Sequence, residues 1–310
     1  MAGLQGDLRG MDSGYIKEVL YRTMLRMRNS AYGYRIYEFL DGIGVRIILS
    51  RLFNFASAMK MSRHPTDEMA RSASYFRAHK EEIGRVLRLL SDDSSRDTYK
   101  RMWEFRMHGR YGMLPRNSYR SQYFGNDYFH YKNGREVFVD CGAFDGDTVR
   151  SFKKAMAKRR IGGYRMVAFE PDKMNHNNLV RNHPDIKVIR AGCWDSRTTL
   201  GFAPSADGSA IREQNASAET YEIDVVRLDD IDACADATFI KMDIEGAETR
   251  ALEGARGIIM RNKPKLAVCI YHSDNDMVQI PLLIHGMRSD YRMYVQQHSN
   301  SRYETVLYCV

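Results

Sequence analysis

The chain has 310 residues, 44% of them hydrophobic, enough to bury a sizeable core in one large domain or two. Its net charge is +8, and the excess of lysine and arginine lies in the first 135 residues. Five scattered cysteines without C-x-x-C spacing argue against a disulfide frame and a zinc site and predict a reduced, cytoplasmic protein.

Residues 1–12 read as a loose tail with no apolar leader, so no signal peptide is expected. From Gly14 to about His108 the apolar spacing is helical. Ile16, Val19, Leu20 and Met24 form one such stripe, and Val45, Ile48, Leu52, Phe55 and Met59 another. The second is interrupted by Arg46 and Arg51, so it is not a spanning helix. It suits packing against neighbours or a homodimer partner, or a peripheral membrane surface. Pro65-Thr66-Asp67-Glu68 reads as a helix start, and helices are expected through Phe76 and through Leu90. Asp92-Asp93-Ser94-Ser95 reads as a break, followed by a helix over about 97–107.

Residues 111–131 form a turn-rich link with many aromatics, among them Tyr119, Tyr123, Phe124, Tyr128, Phe129 and Tyr131. Beside Arg116 and Arg120 such rings can stack nucleic-acid bases or sugars, or pack the link onto the next domain.

After the link the pattern changes to alternating strands and helices. Strands are expected over 137–140, 165–170, 186–191, 198–202, 221–228, 238–242, 265–271, 291–297 and 304–310. Helices are expected over about 247–260 and 277–287, and Ala203–Thr220 reads as a polar, mobile excursion. This is an α/β pattern with a mostly parallel sheet covered on both faces.

In such a sheet ligands bind beyond the carboxyl ends of the strands. The first strand ends in Asp140, followed by the turn Cys141-Gly142-Ala143-Phe144-Asp145-Gly146-Asp147-Thr148. Gly142 and Gly146 permit a sharp turn. The G-x-G-x-x-G dinucleotide fingerprint is missing, and the carboxylates of Asp140, Asp145 and Asp147 would repel a pyrophosphate. They suit S-adenosylmethionine, which has cationic ammonium and sulfonium groups and no phosphate. The second strand ends at Glu170-Pro171, placed to accept ribose hydroxyls. The third leads to Trp194-Asp195, where an adenine ring can be held. Asp243 and Glu245 follow the fourth long strand and His272 the fifth; these are the candidates for removing an acceptor's proton. Asp243 and Glu245 could instead hold a divalent cation, but nothing else in the sequence supports one and no metal is expected. Glu248 reads as a first-turn helix acid.

Val137–Thr148, Ala168–Asp172, Phe239–Glu248, Lys263–His272 and the ending Glu304-Thr305-Val306-Leu307-Tyr308 together resemble the FkbM family of S-adenosylmethionine-dependent methyltransferases. The resemblance covers about residues 123–310, leaving 1–122 as a helical region for acceptor or dimer contacts. It implies a class I (Rossmann-like) methyltransferase fold with a seven-stranded, mostly parallel sheet, and O-methylation, typically of sugar hydroxyls in glycans, glycolipids or natural products. By position the resemblance puts Asp140, Gly142, Asp145, Gly146 and Glu170 on the cofactor, while Asp243, Glu245 and His272 would face the acceptor; Ala143, Asp147, Thr148, Pro171, Trp194 and Asp195, beside them in the same turns, complete the expected cofactor site. A carbohydrate acceptor with anionic character, such as a bacterial polysaccharide or lipid-linked sugar, suits the basic charge. Methylation of RNA through the basic helices, and a non-catalytic binding role on a methyltransferase scaffold, are the rival readings.

Overall fold

The computed structural model describes residues 67–109, 122–203, 210–212, 221–299 and 302–310. The two stripes expected before residue 62, with their dimer and membrane readings, lie outside the described residues, as do Tyr119, Arg116 and Arg120.

Three helices open the described chain: α1 (Asp67–Ala78), α2 (Lys80–Leu89) and α3 (Asp93–His108). The four-residue polar stretch expected to break the chain begins α3 instead. Asp92 caps the helix, accepting from the Ser95 amide at 2.7 Å. A short polar side chain that competes with the backbone mid-helix satisfies a free amide at its start. Gly109, at φ 64°, ends the helix.

The remaining strands and helices are β1 (Val137–Cys141), α4 (Asp147–Lys158), β2 (Arg165–Phe169), α5 (Lys173–Asn182), β3 (Lys187–Ile189), β4 (Gly192–Cys193), β5 (Thr198–Ala203), β6 (Ala210–Arg212), β7 (Tyr221–Val226), β8 (Phe239–Met242), α6 (Glu248–Gly254), α7 (Arg256–Asn262), β9 (Lys265–Cys269), α8 (Asp274–Met287), β10 (Met293–Gln297) and β11 (Thr305–Cys309). Seven strands form the main sheet in the order β10-β11-β9-β8-β1-β2-β3, with β11 antiparallel to both neighbours and the rest parallel. The excursion after β3 is a second, four-stranded sheet, β4-β7-β5-β6. The helix expected over about 247–260 is two, because Ala255 leaves helical geometry between α6 and α7. α8 begins before the expected Met277 because Ser273 and Asp276 form a reciprocal capping box.

Strand alternation sends side chains to two separate cores. Val139, Ile240, Met242, Leu266 and Val268 face one, joined there by Phe76, Ile83, Val86, Tyr99, Met102 and Phe105 of the opening helices. These helices are tied to the sheet by polar contacts as well. The Tyr99 hydroxyl donates to the Met277 carbonyl at 2.9 Å, and the Val295 amide donates to Ser95 Oγ at 3.0 Å. The opposite face carries Phe138, Phe239, Ala267 and Tyr308.

The aromatic link covers that second face. Phe124 meets Phe138 edge-on at 5.5 Å, Phe129 meets Phe239 at 4.8 Å, and Tyr128 stacks on Tyr294 at 4.0 Å. Tyr123, Phe124 and Phe129 are buried. Packing therefore occupies these rings, each pair adding about 0.5–1.5 kcal/mol beyond its buried area. Among the described residues no helix is long and apolar enough to cross a membrane.

Candidate active site

Parallel register puts Asp140 opposite Lys241 on neighbouring strands. They form an ion pair at 3.0 Å with side chains only 1% and 2% exposed. Lys241 Nζ also donates to the Gly142 carbonyl at 2.8 Å. Burial alone would lower the Lys241 ammonium, but Asp140, then Asp243 and Asp147, hold it protonated well above the ordinary lysine value. Burial pushes Asp140 up, and Lys241 draws it back.

The turn after β1 is folded by its own polar groups. Gly142 and Gly146 both have φ of 84°. A Cβ on Gly142 would lie 2.1 Å from the Asp243 carbonyl, and one on Gly146 2.7 Å from His183 Nε2. Both glycines are thus required by close chain packing. The Gly142 contact also brings the β1 turn against the loop after β8. Asp145 accepts from the Asp147 amide at 2.9 Å and pairs with Arg150 at 3.3 Å, while Asp147 accepts from the Thr148 amide at 2.6 Å. Ala143 is buried behind the turn, while Phe144 stands out from it, 37% exposed on a left-handed backbone. The negative charge read from the sequence is real, and Lys241 stands against Asp140 and Arg150 against Asp145.

Glu170 joins this turn. It accepts from the Phe144 amide at 2.8 Å and the Asp172 amide at 2.9 Å. Burial raises its carboxyl to about 7 against those amides. Pro171 links it to Asp172, which caps α5 and accepts from the Tyr221 hydroxyl. Trp194 and Asp195 follow β4 and close on α6. The Arg250 guanidinium lies 5.6 Å over the indole and pairs with Asp195 at 2.8 Å.

The acceptor-side residues form a second cluster beside the turn. Asp243 accepts from the Tyr271 hydroxyl at 2.9 Å and from the Tyr123 hydroxyl at 3.1 Å, one at each oxygen. Burial pushes Asp243 up, but Lys241, His272 and the Tyr271 hydroxyl outweigh it and hold it below its usual value. Both phenols are raised by burial and then by Asp243, so they remain donors. His272 Nε2 lies 3.3 Å from Glu245 and 3.5 Å from Asp243, and Nδ1 lies 3.0 Å from Glu248. Burial would lower His272, but Glu248, Glu245 and Asp243 raise it to about 11. The near-neutral titration of an ordinary imidazole is therefore displaced by its neighbours.

Sequence reasoning missed Lys241, Tyr123 and Tyr271, and undervalued Glu248. Glu248 is fully buried and accepts from the Ile244 and Gly246 amides at 2.8 and 3.0 Å, so it builds the loop that presents Asp243 and Glu245. Lys241 was legible: a lysine inside the apolar strand Phe239–Met242 needs a buried acid as partner. Tyr123 carries no such signal, since 120 residues separate it from Asp243.

The Methyltransferase FkbM domain matches residues 140–303, which contain this turn and both strand-end loops. The chain belongs to the FkbM methyltransferase family. A solved FkbM methyltransferase from Methylobacillus flagellatus shares the fold at 23% identity and a TM-score of 0.65, covering 94% of this chain and 77% of that one. Fibrillarin from Aeropyrum pernix, solved with natively bound S-adenosyl-L-methionine, is a looser match at 12% identity and a TM-score of 0.34, covering 60% of this chain and 71% of that one. No protein of curated function matches the chain.

The cofactor of this FkbM methyltransferase is S-adenosylmethionine. The residues present fit it. Asp140 keeps buried carboxylate oxygens without a hydrogen bond, beside the glycine turn. Glu170 meets that turn with a buried carboxyl held by single backbone amides, leaving lone pairs for hydroxyl donors.

Proposed function

We propose that this FkbM methyltransferase is an O-methyltransferase acting on a sugar hydroxyl of a glycan, glycolipid or natural product. The observation that carries the reading is the cluster of Asp243, Glu245 and His272 packed against the cofactor turn: a carboxylate-rich acceptor side suits a hydroxyl, which must lose a proton as it is methylated.

When bound, S-adenosylmethionine supplies a methyl group on a sulfonium, which leaves as a neutral thioether. The chain must align the acceptor oxygen and receive its proton. Asp243 is held by two phenols and suits alignment. Glu245 sits on a left-handed backbone with φ of 58°, and its side chain is 37% exposed. It is the most exposed of the three carboxylates around His272 and takes the proton as the new carbon–oxygen bond forms. Tyr303, 51% exposed and edge-on to Tyr271 at 5.9 Å, offers the aromatic surface on which a sugar face packs.

The test is transfer of a labelled methyl group to a panel of sugar nucleotides, glycans and glycolipids, set beside amine and thiol acceptors. Hydroxyl methylation that falls about 10²–10⁴-fold in Glu245→Gln, with S-adenosylhomocysteine affinity kept, is the expected result. Methylation confined to amines or thiols would overturn the reading.

A further inference from the structure

Polar side chains of the opening helices converge on one short segment, the loop after β9 and the first turn of α8. The Tyr75 hydroxyl donates to Asn275 Oδ1 at 3.2 Å, and the Tyr99 hydroxyl to the Met277 carbonyl at 2.9 Å. Arg106 Nη1 donates to Asp274 Oδ1 at 2.8 Å, and its Nη2 to the Tyr271 carbonyl. One guanidinium therefore holds the residue before His272 and the residue two places after it.

Arg106 lies in the last turn of α3 with its side chain only 2% exposed. A buried ion pair adds little net stability over apolar side chains of the same volume. Its Nε is buried without a hydrogen bond, so the guanidinium is not fully satisfied there. What it provides that an apolar side chain cannot is two donors in one rigid plane, one on a carbonyl and one on a carboxylate.

The segment it holds serves the acceptor side. The Tyr271 hydroxyl donates to Asp243 at 2.9 Å, and the His272 ring lies between Glu248, Glu245 and Asp243. The reciprocal caps of Ser273 and Asp276 fix the same backbone from within α8. A shift of this loop would move the phenol and the imidazole together, and about 1 Å of misplacement can cost about 10²-fold in rate.

We propose that Arg106 is a positioning residue for methyl transfer: from outside the matched family domain it fixes the Tyr271–Asp274 loop, and through it the placement of Asp243 and His272. Both of its hydrogen bonds go to that loop and not to the cofactor turn, so the cofactor's affinity does not depend on it. The helical layer then supports the acceptor side directly. The effect on turnover rests on the O-methyl transfer proposed above; the effect on the loop does not.

The experiment compares Arg106→Lys with Ser95→Ala in the full-length chain. Lysine keeps the charge beside Asp274 but cannot serve both partners. Ser95→Ala loosens the start of the same helix, where Ser95 Oγ accepts from the Val295 amide at 3.0 Å, away from the loop. The first readout needs no acceptor: the ring resonances of His272 in ¹⁵N-histidine-labelled protein, assigned by their loss in His272→Asn. Arg106→Lys should shift them and Ser95→Ala should not, with S-adenosylhomocysteine affinity kept in both. The second is turnover on a hydroxyl acceptor, where Arg106→Lys should lower kcat about tenfold or more and Ser95→Ala should leave it unchanged. Unmoved His272 resonances in Arg106→Lys, or equal shifts in both variants, overturn the proposal. A loss of S-adenosylhomocysteine affinity that matches the loss of kcat also overturns it, making Arg106 a general support of the fold. Shifted His272 resonances with unchanged kcat overturn the role in transfer and leave O-methyl transfer standing. Shifted resonances in a protein that methylates no hydroxyl uphold the hold on the loop and remove O-methyl transfer.

Discussion

Asp140 and Lys241 sit side by side on adjacent parallel strands, 3.0 Å apart and sealed from water. The acid expected to greet the cofactor's cationic end is therefore already a partner in an internal ion pair. Its remaining capacity to accept hydrogen bonds is what the cofactor can use. Both residues lie on the same face of the sheet as Phe138 and Phe239, under the ring of Tyr123, whose centroid is 5.7 Å from Lys241 Nζ.

Removing one partner leaves a buried charge alone. Lys241→Met should cost about 3–5 kcal/mol in urea unfolding. The double variant Asp140→Leu/Lys241→Met should recover most of that loss and still fail to bind S-adenosylhomocysteine. Recovery of both properties would show that Asp140 serves only as the lysine's counter-ion.

Gly142 tests the packing of the turn against the loop after β8. Gly142→Ala places a methyl 2.1 Å from the Asp243 carbonyl on a backbone at φ 84°. It should cost more than about 3 kcal/mol and displace both ligand loops, seen as lost cofactor affinity and lost turnover together. Gly134→Ala is the control, since φ is 68° there but the space is open. It should cost only about 1 kcal/mol, the backbone strain alone.

Glu170 predicts a pH dependence. Burial raises its carboxyl from an ordinary value of 4.5 to about 7, so in the free protein it takes up a proton as the pH falls through 7. Ribose hydroxyls donate to the carboxylate, not the acid. S-adenosylhomocysteine affinity should therefore be full above pH 7 and decline below it, approaching tenfold per unit. In Glu170→Gln the affinity should be weaker and flat between about pH 5.5 and 8. Folding stability follows the opposite sign for this group. The folded state holds more protons between 4.5 and 7, so its contribution is greater at low pH and is lost as the pH rises through 7.

Tyr123 reaches Asp243 from outside the residues matched by the family domain. Its backbone is left-handed, φ 61°, a strain that a tyrosine bears only where the surroundings impose it. Tyr123→Phe should cost about 1–3 kcal/mol of stability and lower kcat more than it weakens the cofactor, because it frees one oxygen of Asp243. Equal losses in kcat and cofactor affinity would place the hydroxyl's role in the turn as a whole.

The α/β class, the main strands and the acid at the end of each ligand-facing strand follow from local pattern. Apolar runs of strand length, glycine turns and capping residues act over a few positions, so one sequence displays them. The capping roles of Asp92 and Ser273 obey the same local chemistry, and only their boundaries were misplaced. What the sequence by itself determined is thus the sheet, the glycine turn and the family, with residues 140–303 carrying the match. Tertiary structure decided which charges meet. Asp140 finds Lys241 across 101 residues only because β8 lies beside β1 in parallel register. Tyr123 finds Asp243 because the aromatic link folds back over the sheet. His272 departs from ordinary imidazole behaviour because strand order sets Glu248, Glu245 and Asp243 around its buried ring.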